Sequence, residues 1–365
     1  GLSTVASPQV QQMPCPPPSK LSPHPTALAF FLSHDQSNAQ SSRKICNNDA
    51  SSLPSSPTTC SNTTTRGGGV GGKSNAASKT TKRSSSINRI SRVLGWRNRH
   101  SLSPSYPVTV GGVSFSVSQI RRGEMEGLGT GASVWPASIV LLKYLERLCV
   151  TTSSSREYDN NDDDHVGGFC LKGKTVVDLG AGTGLTSIGS LILGARLTVC
   201  TDGSEGVVAL AQKNVDAYYR SDERGECRDN TGRLVVKSYQ WGVEAESLSL
   251  VNEICNGIDE GGAAGGKELG RTTREYFDVI LVSDCVLPKL YPIEPLVEAI
   301  DQLSGSETVT FLSYEHRYYP EYDPRDRFRE LVECKGFDVV TIPLEKQDEV
   351  YSVDDIQIWE VRRRR

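Results

Sequence analysis

Seven short apolar runs rich in β-branched residues punctuate the chain: Thr175 to Asp178, Leu197 to Thr201, Leu234 to Tyr239, Phe277 to Ser283, Val309 to Ser313, Phe337 to Ile342 and Ile356 to Val361. Runs of this length, bounded by polar and glycine-containing stretches, predict strands. Between them lie helical stretches, among them T-S-I-G-S-L-I-L-G-A after Leu185, a short buried helix closed by Gly194. Strands alternating with helices predict a parallel sheet covered on both faces, with ligands at the carboxyl ends of the strands. Ahead of the first run, V-T-V and V-S-F-S-V form a pair of short hydrophobic runs, and P-A-S-I-V-L-L-K-Y-L-E predicts a helix opened near Pro136. The polar stretch from about Glu246 to Glu275, with G-G-A-A-G-G-K, reads as a loop insertion. The sequence holds no fixed-period repeat and no apolar run of the roughly eighteen residues that a membrane span needs.

Composition divides the chain. Hydrophobic residues make up 37% of its 365 positions, modest for a fully packed protein. Residues 1–105 are dominated by Ser, Thr, Pro, Asn and Gly and carry a net charge of about +10, against about −14 for the rest. The expectation is a disordered basic tail over 1–105 and a folded acidic domain over 106–365. Within the tail, S-I-N-R-I-S-R-V-L-G-W-R-N-R-H spaces Ile87, Ile90 and Leu94 on one helical face beside several arginines. It fits a membrane-surface or partner-docking helix, a transit peptide or a solvated linker. Ten scattered cysteines without a C-x-x-C pair suit reduced thiols, and five histidines without Cys at ligand spacing argue against a metal site.

The chemistry centres on T-V-V-D-L-G-A-G-T-G, a strand ending in Asp178 and followed by Gly180, Gly182 and Gly184. Such glycines let a strand turn sharply into a helix and let backbone approach a ligand. A dinucleotide fingerprint would need a third glycine at Leu185 or Ser187. The G-x-G-x-G form with its preceding acid instead resembles the first motif of seven-strand S-adenosylmethionine-dependent methyltransferases, in which the acid interacts with the methionine part of the cofactor. Asp202 ends the next strand about twenty residues on, where a doubly wound fold places a ribose-binding carboxylate. The same Asp202 can also cap the helix starting near Ser204.

Three further pieces sharpen the resemblance: V-W-P-A-S-I-V-L-L-K-Y-L-E, Trp241-Gly242, and F-D-V-I-L-V-S-D-C-V. Together, over roughly residues 125–361, they resemble the non-SET protein-lysine methyltransferases of the methyltransferase-like family. That resemblance implies a Rossmann-like seven-strand sheet, mostly parallel with the last strand antiparallel. It implies S-adenosyl-L-methionine as cofactor, with Trp135 beside its methionine portion, Trp241 beside the adenine, and Ser283 and Asp284 aimed at the transferable methyl. Relatives carry D-x-x-Y at that strand end. Here Asp284 is kept but Leu287 replaces the tyrosine, and Tyr291 stands four residues later, able to fill similar space if Pro288 opens a helix. Tyr314, Glu315, His316 and Arg317 are expected on the acceptor rim, His316 as a candidate general base.

The leading expectation is thus a cytoplasmic, monomeric protein-lysine methyltransferase acting on a folded partner such as a chaperone or translation factor. A histidine or small-molecule methyltransferase and a non-catalytic cofactor-binding scaffold are the alternatives. Nucleic acid is disfavoured as acceptor, because S-D-C-V stands where an [N/D/S]-P-P-[Y/F/W] run is expected.

Overall fold

The computed structural model describes residues 95–97, 99–121, 123–154, 169–222, 232–256, 276–320 and 322–365. The element order is β1 (Ser105–Val110), β2 (Val113–Ser118), α1 (Pro136–Ser154), β3 (Thr175–Leu179), α2 (Leu185–Ile192), β4 (Leu197–Asp202), α3 (Glu205–Asp222), β5 (Arg233–Ser238), α4 (Glu244–Asn256), β6 (Phe277–Ser283), α5 (Ile293–Leu303), β7 (Ser304–Glu315), α6 (Pro324–Cys334), β8 (Phe337–Ile342) and β9 (Ile356–Arg363). Strands β3 to β9 make one seven-stranded sheet in the order β5-β4-β3-β6-β7-β9-β8, and β1-β2 is a separate antiparallel hairpin. The β5-β4-β3-β6-β7 pairs are parallel, and β9 runs antiparallel to both neighbours. All seven expected strands are present, and the last is the reversed one.

Each strand divides its side chains between two cores, as the period of two demands. Val176 of β3 faces a core with Leu142 of α1, Ile188 of α2 and Val215 of α3, while its neighbour Val177 faces one with Ile254 of α4, Leu296 of α5 and Phe328 of α6. Three helices therefore cover each face. Trp359 of β9 anchors the second core, stacked between Tyr314 (5.3 Å) and Phe328 (5.4 Å). Among the described residues no helix is long and apolar enough to cross a membrane.

Three expectations are corrected here. The folded region does not begin at 106: Trp96 is only 8% exposed and packs on Tyr351, with ring centroids 5.3 Å apart. Arg97 beside it forms ion pairs with Glu315 and Asp355. One large aromatic and one doubly paired arginine bury enough surface to hold this segment against the domain despite its polar neighbours. The expectation for residues 1–94 lies outside the described residues. The first part of the stretch read as a loop, from Glu246 to Asn256, is instead in helix α4, because Ser247, Leu250 and Ile254 form a narrow buried stripe among its acids; residues 257–275 lie outside the described residues. Tyr314 is not on a rim but fully buried under Trp359.

Candidate functional site

The carboxyl ends of β3, β4 and β6 lie side by side in the middle of the sheet, where connections depart to opposite faces. Ligands of doubly wound sheets bind at such a point. Gly180, Gly182 and Gly184 have φ values of 66°, 57° and 79°, all left-handed. Gly184 is the N-cap of α2, turning the chain from strand into helix. A Cβ on Gly182 would lie 2.7 Å from the Gly131 carbonyl oxygen, so no larger residue fits without moving backbone. At Gly180 a Cβ would meet Cys285 Sγ at 2.7 Å and the Trp241 ring at 3.1 Å. The expected adenine-side indole is therefore against the glycine turn.

Asp178 is fully buried. Its Oδ2 accepts hydrogen bonds from Thr186 Oγ1 (2.5 Å) and Ser187 Oγ (2.7 Å) in the first turn of α2, while its buried Oδ1 has no partner. Burial raises its pKa to about 6, opposed by the two hydroxyls. Asp202 accepts from the Gly182 N–H (3.2 Å) and the Ser204 N–H (3.0 Å), so it braces the glycine turn and closes a short side-chain turn just ahead of α3. Burial raises its pKa, opposed by the backbone donors of Ser204, Gly182 and Gly203.

Across the turn lies a short 3-10 segment, Gly129–Ala132. Thr130 fastens it twice: its carbonyl accepts from Trp135 Nε1 at 2.8 Å, and its hydroxyl bonds Tyr291 Oη at 2.5 Å. Tyr291 in turn meets Trp241 edge-on, with centroids 6.0 Å apart. Pro288 opens only one turn, closed by Tyr291 N–H to Leu287 O, and α5 begins after Pro292. Leu287 is buried at 4% exposure, so the residue replacing the family tyrosine packs inward. Tyr291 reaches the site by its own route.

Asp284 follows β6 in a left-handed conformation, φ 57°, the one such non-glycine among the described residues. Its backbone N–H donates to Ser313 O, and its Oδ1 accepts the Glu315 N–H at 3.2 Å. The Arg317 guanidinium grips both carboxylate oxygens, Nη1 to Oδ1 at 2.7 Å and Nη2 to Oδ2 at 2.6 Å, and lies 5.8 Å over the Trp135 ring. Burial works against the Arg317 charge, but Asp284 more than offsets it and raises its pKa. Ser283 Oγ is buried without a partner. His316 is exposed, its N–H donating to Asp355 O.

All ten expected residues thus fall into one cluster: Gly180, Gly182, Gly184, Asp178 and Asp202 around the turn, Trp241 and Tyr291 on one side, and Trp135, Ser283 and Asp284 toward β6 and β7. Sequence reasoning missed Thr130 and Cys285, and it missed that Arg317 pairs with Asp284. The glycine-rich G-L-G-T-G-A was the one signal for Thr130; Asp284 and Arg317, 33 positions apart, give none.

The donor set fits S-adenosylmethionine. Asp178 Oδ1 is an orphaned acceptor suited to a cationic or N–H-bearing methionine moiety, Asp202 is a carboxylate able to accept from ribose hydroxyls, and two indoles are of a kind that adenine and a sulfonium pack against. Among the described residues no group of side chains could hold a metal.

Comparison with known proteins agrees. Residues 116–254 match the family described as lysine methyltransferase. The protein N-lysine methyltransferase METTL21A of Danio rerio is 30% identical over 192 residues, 52% of this chain and 63% of its own length. That of Xenopus tropicalis is 26% identical, covering 61% and 76%. The protein N-terminal and lysine N-methyltransferase EFM7 of Gibberella zeae is 34% identical, covering 31% and 37%. The chain thus spans less than two thirds of the Danio rerio relative.

Proposed function

We propose, from a seven-strand methyltransferase domain that resembles the lysine methyltransferases, that this protein transfers a methyl group from S-adenosylmethionine to a lysine side chain of a folded protein. The observation that carries the reading is the convergence, on one sheet end, of a backbone-held Asp202, a half-satisfied Asp178 and a carboxylate, Asp284, walled by Trp135. The bound cofactor supplies an activated methyl on sulfur. Trp241, Asp178 and Asp202 hold the cofactor, and the Gly129–Ala132 segment shields it from water.

Catalysis is then chiefly positioning. The lysine nitrogen, held beside Asp284, would first give a proton to water and as the neutral amine would then take the methyl group that the bound cofactor supplies, with S-adenosylhomocysteine as the leaving group. A lysine arrives protonated at neutral pH. Asp284 recognises and orients that ammonium, although a carboxylate also favours its charged form. Tyr318, 80% exposed and next to Arg317 in the chain, supplies aromatic surface for a docked partner. By the same resemblance the partner is a chaperone or translation factor, met in the cytoplasm by a monomer; fractionation and light scattering test the last two.

Methyl transfer from radiolabelled S-adenosylmethionine into an extract of the source cells tests the activity. The intact chain should label a protein on lysine, and Asp202→Ala and Asp284→Ala should abolish the label. Cofactor binding without any labelled protein would sink the reading.

A further inference from the structure

Arg317 stands where an incoming ammonium is expected. A carboxylate floor with an indole wall is chemistry that holds a cation, and the protein fills it with one of its own. Arg317 is not needed to place Asp284, which the Ser313 carbonyl and the Glu315 N–H already fix. A second carboxylate is within reach of the same guanidinium: Glu315 Oε2 lies 3.5 Å from Arg317 Nη2. Glu315 is in turn held by Arg97, which also donates to Asp355 at 2.7 Å. Five charges therefore alternate in a row, Asp284, Arg317, Glu315, Arg97 and Asp355, and the two arginines compete for Glu315.

We propose that Arg317 is an internal occupant of the acceptor site, which a substrate lysine displaces from Asp284 onto Glu315, and that Arg97 sets how readily this happens. The inference rests on the lysine-acceptor reading of Asp284. It makes Arg317 a specificity-determining residue: only a cation presented firmly enough to compete with a bidentate arginine gains the carboxylate. A lysine anchored by a docked protein meets that demand better than a free amine. The Trp96–Arg97 segment, packed on Tyr351, becomes part of the acceptor machinery through the Arg97–Glu315 pair.

The test titrates n-butylammonium chloride, a minimal lysine side chain, into the full-length protein saturated with S-adenosylhomocysteine, and reads binding by calorimetry. Arg317→Ala leaves Asp284 a buried unpaired carboxylate and should bind the probe about tenfold more tightly or better than the parent. Arg317→Lys should return toward the parent. Arg97→Ala frees Glu315 for Arg317 and should tighten binding, whereas Glu315→Gln removes the alternative partner and should weaken it. Arg97 and Glu315 thus shift the probe in opposite directions, a pattern a purely structural brace does not give, and this pair decides the matter if Arg317→Ala fails to fold. Unchanged or weakened binding in both Arg317→Ala and Arg97→Ala overturns the proposal. The probe requires no turnover. Lysine labelling without this pattern rejects the displacement alone, and the pattern without any labelled protein rejects the lysine activity alone.

Discussion

At the residue scale, Asp178 couples the site to pH. Its bonded partners are two hydroxyls, and burial lifts its pKa to about 6. The folded state therefore keeps a proton that the unfolded chain releases near the ordinary carboxylate value. The associated stability is full below about pH 4 and lost as pH rises through about 6, a change of about 3 kcal/mol by linkage. Asp178→Asn should flatten that slope in thermal melts of the cofactor-free protein between pH 4 and 7 while weakening cofactor binding; an unchanged slope would assign the pH dependence elsewhere. Gly182→Ala places a methyl group against the Gly131 carbonyl at a left-handed φ. It should cost about 2 kcal/mol from conformation alone and raise the cofactor Kd, measured by urea denaturation and calorimetry. The positions of the glycines and both acids were legible in the sequence because they are set locally, by a strand end and a turn. The Asp284–Arg317 pair was not, since sheet topology rather than spacing joins β6 to β7.

At the scale of elements, what the sequence showed depended on how broad the buried face is. The central strands are buried on both sides and stand out as unbroken apolar runs; β3 is buried throughout. Helix α4 shows only a thin stripe, Leu250 and Ile254 one turn apart, and so passed for a loop. β7 begins at Ser304, well before the apolar run at Val309, because Ser304 pairs with Phe277 through a local irregularity that polar residues tolerate. The Trp96 segment was hidden by its basic, serine-rich surroundings. Trp96→Ala should cost about 3 kcal/mol in urea denaturation. A loss below about 1 kcal/mol would mean that the segment is not anchored by its indole.

At the scale of the molecule, the fold class followed from alternation of strands and helices, and the reversed β9 from resemblance rather than from any signal of its own. The two cores close around a site whose groups come from β3, β4, β6 and β7 and from loops far apart in the chain, so cofactor binding should stabilise the whole domain. S-adenosylhomocysteine at a hundred times its Kd should add about 2.7 kcal/mol, seen as a rise in Tm that Asp202→Ala removes. The stretch Gly129–Ala132 lies across the glycine turn and is tied by Thr130 to Trp135 and to Tyr291. That fastening bears on tempo: if the proposed transfer runs beneath it, the tie to Tyr291 is expected to open before S-adenosylhomocysteine departs, and that departure, rather than methyl transfer, is expected to be the slow event of each cycle. Tyr291→Phe, lacking the hydroxyl, should shorten its residence time in stopped-flow experiments and turn a burst of first-turnover product into a steady line.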